Sequence, residues 1–563
     1  MKLLHPFLSL AGLLAASMTQ AAEPAPAVHV ESSPAAVIAP AEVAPPPPVA
    51  PTTTASPSPA AEAAASTTTS ASNPPAPTPA ANAVHFEHEQ TVLAPFDLKG
   101  LGFARSVTDN GCHVAYVSSA NGQMSFTVDG TPGPWFEAVA LSGPAFSPDG
   151  QHVVYKAETK GQWQMVQDGQ PGPPYEAIGS SSPIVSAQNF HVAYGAAQTG
   201  KWLVVLDGQA GPLFDAIGAG PSGLVLSADG THSAYVAQKN DKWLVMHDGV
   251  PTPAYDGITD VVFSPDGQHF SFSALAKEKR LVVTDGTPGP EYSITTAPVY
   301  SPDSKIAVYA AEYSHKWEMI VNGNVGAPFD GIVSGAFCFS PDSAHLAYGV
   351  ATLKTRHMLR DDVLGPAFDG VADPRFSPDS QHLAYMAKKD DKWALVVDDK
   401  IGLGFDDYLA NSLQFSPNSL HVAFAVLNQG KKEVVVDDSV GPWFDGVANI
   451  VFSPNGKKLA YDATRENKWV VVLNGQPSAT VFDEIIGVAP IFSTDSLHVA
   501  YAGRVGDKQK VLIDGEAGPD FSYIIAGPVL RKDGALEYLG LQKDGDKATL
   551  YRVVVPHFSP AKT

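Results

Sequence analysis

Apolar and polar residues alternate along most of this chain in short runs, and a polar turn motif separates the runs at a nearly constant interval. The turn, Ser-Pro-Asp-Gly or a close variant, starts at Thr108, Ser147, Ser186, Ser227, Ser264, Ser301, Ser340, Ser377, Ser416, Ser453, Ser493 and Arg531, with spacings of 37 to 41 residues. Residues 140–178 show what one unit contains. Ala140–Phe146 is a short apolar strand, and Ser147-Pro148-Asp149-Gly150 is a type I turn in which Pro148 presets φ at the second position. His152-Val153-Val154-Tyr155 alternates as a strand should, and Trp163-Gln164-Met165-Val166 makes a third strand ending at Asp168-Gly169. Gly172–Ile178 supplies a turn and a short fourth strand. No segment carries the 3.6-residue period of a helix.

Four short antiparallel strands per repeat of about 40 residues make one propeller blade. A single blade cannot cover both its faces, so neighbours must stack on it, and the same apolar positions return in every unit. The indoles at Trp163, Trp202, Trp243, Trp317, Trp393 and Trp469 are assigned to packing between blades. The fold class is therefore all-β, a β-propeller of about twelve four-stranded blades. The last unit stops after its third strand, near Pro556, and its missing strand has a match in Pro95-Phe96-Asp97-Leu98, followed by an inner-strand piece from Leu101 to Ser106. The two ends are expected to meet and complete one blade, which removes two exposed sheet edges. Propellers of 4–8 blades are usual, which favours two six-bladed rings, residues 91–323 and 324–556, with 557–563 as a tail. The alternative is one large ring, because the seam at Asn322-Gly323 keeps the ordinary hairpin motif NGNVGAPFDGI without a linker.

The phased motif (FSPDGQHVVY, FSPDSQHLAY, FSPNGKKLAY) resembles the repeat of TolB and of the non-catalytic propellers of prolyl oligopeptidase relatives, over roughly residues 91–556. The resemblance implies fold more than activity. The chain departs from TolB in having a Pro-rich segment where TolB has an α/β domain, and from the peptidases in lacking a hydrolase domain.

The N-terminus changes the picture of where such a ring would work. Residues 1–21, with Lys2 ahead of an apolar run from Leu3 to Ala16 and small residues up to Ala21, have the layout of a secretory signal cleaved near Ala21. The run is too short to span a bilayer, and His5 and Pro6 interrupt it. Residues 22–84 are nearly all Ala, Pro, Thr, Ser and Val and read as a disordered, semi-extended linker of at most about 190 Å. A periplasmic or secreted protein with no integral membrane segment is expected. The net charge is −22, with 58 acidic against 36 basic residues, which disfavours nucleic acid and anionic lipid as partners. Cys112 and Cys338 stand in different repeats, an arrangement that argues against a disulfide.

Gly218-Ala219-Gly220-Pro221-Ser222-Gly223 matches the dinucleotide-binding GxGxxG, but Leu224-Val225-Leu226 continues as a strand, where that motif needs a helix. Nine of the 17 histidines share one repeat position: His113, His152, His191, His232, His269, His345, His382, His421 and His498. One per blade, they are spread round a ring and do not converge on a metal, so a structural role in the turn is expected. Asp97, Glu137, Glu176, Asp215, Asp256, Asp330, Asp369, Asp406, Asp445 and Asp483 recur near the fourth strand. They would form either a carboxylate ring for Ca²⁺ or a basic partner, or local acceptors for backbone N–H groups; the second reading is preferred. Asp129-Gly130 and Asp168-Gly169 are hairpin punctuation. Asp260, Arg375, Gln414 and Asn449 interrupt the apolar inner strands and are expected to face a water-filled channel.

No GxSxG, HExxH, CxxC or phosphate loop occurs. Catalytic, cofactor and metal sites are accordingly expected to be absent. The leading expectation is a non-catalytic interaction scaffold of the cell envelope or extracellular space with a protein partner. The alternative is a hydrolase or lyase acting on glycans or peptides in a central pocket. Trp135 and Trp443, each just before a fourth-strand aromatic, are candidate anchors for a partner, with burial against the next blade the simpler expectation.

Overall fold

Alternation drives each unit into a four-stranded antiparallel meander, seen plainly in blade 5 of the computed structural model. Its inner strand is Gly257–Phe263, its second Phe270–Ala276, its third Lys279–Thr284, and its outer strand Thr287–Pro288 continues to Tyr292, which bridges back to Arg280. The structure describes residues 86–559 apart from 98–102, 109–110, 141, 180–182, 219–222 and 546. The expected signal (1–21), the linker (22–84) and Leu101 lie outside the described residues. No helix occurs among those described. One boundary moves: Ala177–Ile178, read above as the end of a fourth strand, pairs with Val192–Gln198 and so opens the inner strand of the next blade.

The Ser-Pro-Asp turn is stapled by its own side chains. Ser264 Oγ donates to Asp266 Oδ1 (2.6 Å) and accepts the His269 N–H (3.0 Å), while Asp266 Oδ1 also accepts the Gln268 N–H (3.0 Å). The fourth position is left-handed, which explains Gly267 (φ 73°), yet Ser304, Ser343, Ser380, Ser419 and Ser496 adopt it too. Each serine has a compensation. Its hydroxyl accepts the backbone N–H of the preceding blade's turn, as from Asp266 to Ser304 (2.9 Å) and from Asp303 to Ser343 (2.9 Å).

Packing is between neighbours. At ten interfaces the outer-strand aromatic of one blade meets the second-strand aromatic of the next edge to face, as in Phe136–Tyr155, Phe444–Tyr461 and Phe521–Tyr538, with centroids 5.9–6.3 Å apart. Such pairs contribute about 0.5–1.5 kcal/mol each beyond burial. Of the repeated indoles, Trp243, Trp393 and Trp469 join clusters that span two blades, in line with the packing role assigned to them.

Glu89–Asp97 pairs antiparallel with Lys547–Val555, from Glu89 opposite Val554 to Asp97 opposite Lys547, and completes blade 12 behind Tyr523–Leu530 and Leu536–Asp544. The predicted meeting of the ends is observed, over a longer strand than Pro95–Leu98. Phe103–Thr108 then begins blade 1. The two-ring arrangement is not. Blade 12 packs on blade 1, with Leu539, Leu541 and Leu550 against Cys112 and Val114. Across the supposed seam, Val308 and Met319 of blade 6 share a cluster with Tyr348, Val350 and Leu359 of blade 7. Twelve blades form one ring, closed once. Phe558 is fully buried, and Ser559 Oγ accepts the Thr494 N–H (2.9 Å), so the packed fold runs past Pro556.

A ring of this size is open. Sheets about 10 Å apart give a mid-blade radius of about 19 Å for twelve blades, and strands about 4.8 Å apart carry the inner strands to about 12 Å from the axis.

Candidate functional site

Two sets of loops alternate at the ends of the strands. On the face that carries the Ser-Pro-Asp turns, all nine repeated histidines donate from Nδ1 to the aspartate that opens the Asp-Gly or Asp-Asp turn sixteen residues later, at 2.6–2.9 Å. The other carboxylate oxygen accepts the N–H of the residue after the histidine, as from Val153 to Asp168 (2.9 Å). Asp129, Gly130, Asp168 and Gly169 all have positive φ, the geometry of a two-residue primed hairpin turn. Where histidine is replaced by Ile306, the aspartate becomes Asn322, whose Nδ2 donates to the Lys305 carbonyl (3.1 Å). The histidines are thus spent on turns, the structural role expected of them, with a carboxylate as partner.

On the opposite face the repeated acids tie blades together. Glu137, Glu176, Asp215, Asp256, Asp369, Asp406, Asp445 and Asp483 each accept a backbone N–H from the hairpin of the following blade, as in Asp256 from Lys277 (2.8 Å) and Asp406 from Gln429 (2.7 Å). Asp330 and several of these also hold a lysine of the preceding blade: Lys316–Asp330 is 2.7 Å, Lys392–Asp406 2.5 Å and Lys431–Asp445 2.6 Å. The lysine hydrogen bond, reinforced by the backbone N–H, keeps Asp215, Asp406 and Asp445 below the ordinary carboxylate range. The Asp97 side chain lies outside those described.

The inner-strand polar groups bond locally, and one of them crosses to the next blade. Gln414 Nε2 donates to the Ile450 carbonyl of blade 10 (2.7 Å), and Arg375 Nη1 to the Pro374 carbonyl (3.1 Å). Asp260 and Asn449 sit in strand bulges at φ 57° and 53°. Asp260 lines a cleft of about 520 Å³ with Trp243, Gly257, Ser273 and Arg280. Gly218 and Gly223 border the same cleft, and Leu224–Leu226 is a strand, as the rejection of a dinucleotide motif required. Gly220, Pro221 and Ser222 are outside the described residues.

Three features escaped the sequence reading. Asp373 accepts the Asn411 N–H of the next blade (2.9 Å). Asp462, at 0% exposure, accepts one bond from Asn449 Nδ2 (2.7 Å), and its Oδ1 has no partner; burial pushes its carboxyl up to about 7. Aligned units would have exposed it, since Val236, Ala310, Ala425 and Ala502 hold the same position. The third is His247, directly ahead of the Asp248-Gly249 turn. Its Nε2 lies 3.5 Å from Asp248 Oδ2, to which His232 Nδ1 donates at 2.6 Å, and its ring stacks on Phe270 at 4.1 Å. Among the described residues this is the group of three side chains with donor atoms placed closely enough to hold a metal.

Trp135 (41% exposed) and Trp443 (48%) stand out from the ring's edge, against the expected burial, as do Leu213 and Val481 at the same repeat position. Lys431 Nζ and the Arg465 guanidinium lie over the Trp443 ring, at 4.7 and 4.6 Å.

No protein-family model matches the chain, and no curated protein does. Solved structures with some likeness to the chain include the crystal structure of a eukaryotic initiation factor (14% identity, 60% of this chain and 97% of that one, TM-score 0.33) and the Dos1 propeller (13%, 52% and 90%, 0.26). A third is the Cps50 (Swd1) β-propeller domain of Myceliophteria thermophila (13%, 46% and 97%, 0.23). By its own twelve blades the chain is a β-propeller.

Proposed function

We propose that this propeller is a non-catalytic, exported scaffold whose outer edge receives a protein partner, built from the TolB-type repeat that its phased motif resembles. The observation that carries the reading is a division of labour at one repeat position. The fourth-strand aromatic is buried in blade after blade, while the residue before it is an exposed Trp135, Leu213, Trp443 or Val481 in four of them. Large half-exposed aromatics on a rigid frame are the usual anchors of an interface. The repeated histidines and acids, which an enzyme reading would need, are occupied in turns and clasps. The signal-like N-terminus supports a place in the envelope or outside the cell.

The test compares purified full-length protein with a Trp135→Ala/Trp443→Ala variant by crosslinking in an envelope extract. A partner captured by the wild type and lost from the variant, with the melting temperature unchanged, supports the scaffold. Turnover of a glycan or peptide by the purified protein, with no such partner, overturns it.

A further inference from the structure

We propose that blade 4 holds a Zn²⁺ ion between His232, His247 and Asp248, at the rim of the turn face. Every histidine-bearing blade has the His–Asp pair, but blade 4 adds a second imidazole at the last position of its third strand, where other blades carry Val128, Val321, Val397 or Val436. The added ring is fixed by its stack on Phe270, so its Nε2 is presented to the carboxylate and does not sample solvent freely. Tetrahedral zinc with nitrogen and oxygen ligands at about 2.0–2.1 Å sets those donors about 3.3 Å apart. The 3.5 Å from His247 Nε2 to Asp248 Oδ2 already meets this. The 2.6 Å from His232 Nδ1 to the same carboxylate is a hydrogen bond, which must open by less than an ångström as its proton passes to solvent and the metal takes its place. The three side chains are 31%, 29% and 37% exposed, so the ion has a path of entry and room for water as a fourth ligand. Two imidazoles and a carboxylate favour zinc over the oxygen-loving Ca²⁺ and Mg²⁺.

Isothermal titration of the full chain with Zn²⁺, and the visible absorption of Co²⁺ as a coordination signature, test the assignment. The His247→Val variant takes its residue from sister blades and leaves the His232–Asp248 pair intact; Asp248→Asn copies Asn322 and Asn474, so a fold defect in one variant is checked by the other. We expect one Zn²⁺ per chain, bound at least ~10-fold more weakly by either variant, and unchanged in His382→Leu, which removes a lone pair of the same kind. Equal binding by wild type and His247→Val, or an equal loss in His382→Leu, overturns the proposal.

Discussion

Replacing Asp462 by alanine should remove a pH dependence from the ring's stability. Asp462 lies on the second strand of blade 10, fully buried, with one hydrogen bond to Asn449 and a second oxygen without a partner. In the unfolded chain its carboxyl ionises near 3.8, and in the ring burial lifts it to about 7. Between those values the folded protein holds a proton that the unfolded chain has released. Stability therefore falls as pH rises from about 4 to 7 and stays low above it. The difference corresponds to about 4 kcal/mol. A ring of roughly 470 residues unfolding as one unit has an unfolding entropy of about 1 kcal/mol/K, so the effect on its melting temperature is about 4 °C. Alanine is the residue at 310, 425 and 502, so the backbone accepts it, and Asn449 is exposed and regains its bond from water. Measured by circular dichroism, the variant should melt about 4 °C above wild type at pH 8 and no higher than wild type at pH 4. A difference in melting temperature that is the same at both values refutes the argument.

Two further perturbations follow from the closure and the turns. Gly111 has φ 129°, and a Cβ there would stand 2.5 Å from Glu537 Oε2, which is buried among Arg531, Arg552 and the Cys112 N–H. Gly122 also has positive φ but open space around it. In urea unfolding Gly111→Ala should cost several kcal/mol and Gly122→Ala about 1 kcal/mol; equal costs would show that the closing cluster does not constrain the ring. Asp229 and Asp303 are held at about 2, first of all by hydrogen bonds from Ser227 and Ser301. Their contribution is complete above an ordinary carboxylate's pKa and is lost as pH falls from about 4 to 2. Asn418 and Asn455 accept the equivalent serine hydroxyls, so an Asp229→Asn/Asp303→Asn variant should lose less melting temperature over that range than wild type; an equal loss sinks the reasoning.

The repeat, the strand order and the meeting of the ends were legible because each is written locally. Alternation fixes strands, Ser-Pro-Asp-Gly fixes a turn, and a missing strand at one end of the chain has its complement at the other. The roles of the histidines and acids were legible as structural, but not their partners. His152 and Asp168 are sixteen residues apart across a hairpin, and Asp256 meets Lys277 only because two blades stack. His247 is hidden by its own sister: His232 belongs to a repeating set whose members are spread round the ring, and the repeat pattern does not show a second imidazole beside one of them. Asp462 was missed for the opposite reason, being one unusual residue inside an ordinary strand.

Ring count was the part that local pattern could not carry, because a blade senses only its neighbours. Twelve blades in one circle turn by about 30° each and six by about 60°, and that angle is set by how side chains fill each wedge. The seam shows what decides it. Asp330 crosses from blade 6 to blade 7, holds Lys316 of the first through its carboxylate, and donates its backbone N–H to Ala351 of the second (3.0 Å). The lysine and the backbone bond recur at Asp256 and Asp445, so blade 7 docks on blade 6 through contacts that other steps of the ring also use. A second ring would need a second pair of complementary ends, and the chain supplies one: Glu89–Asp97 fits the open edge of Lys547–Val555, while Asn324–Val325 already completes blade 6. With side chains packed continuously across the seam and a single closing strand, the wedges have to share one full turn among twelve.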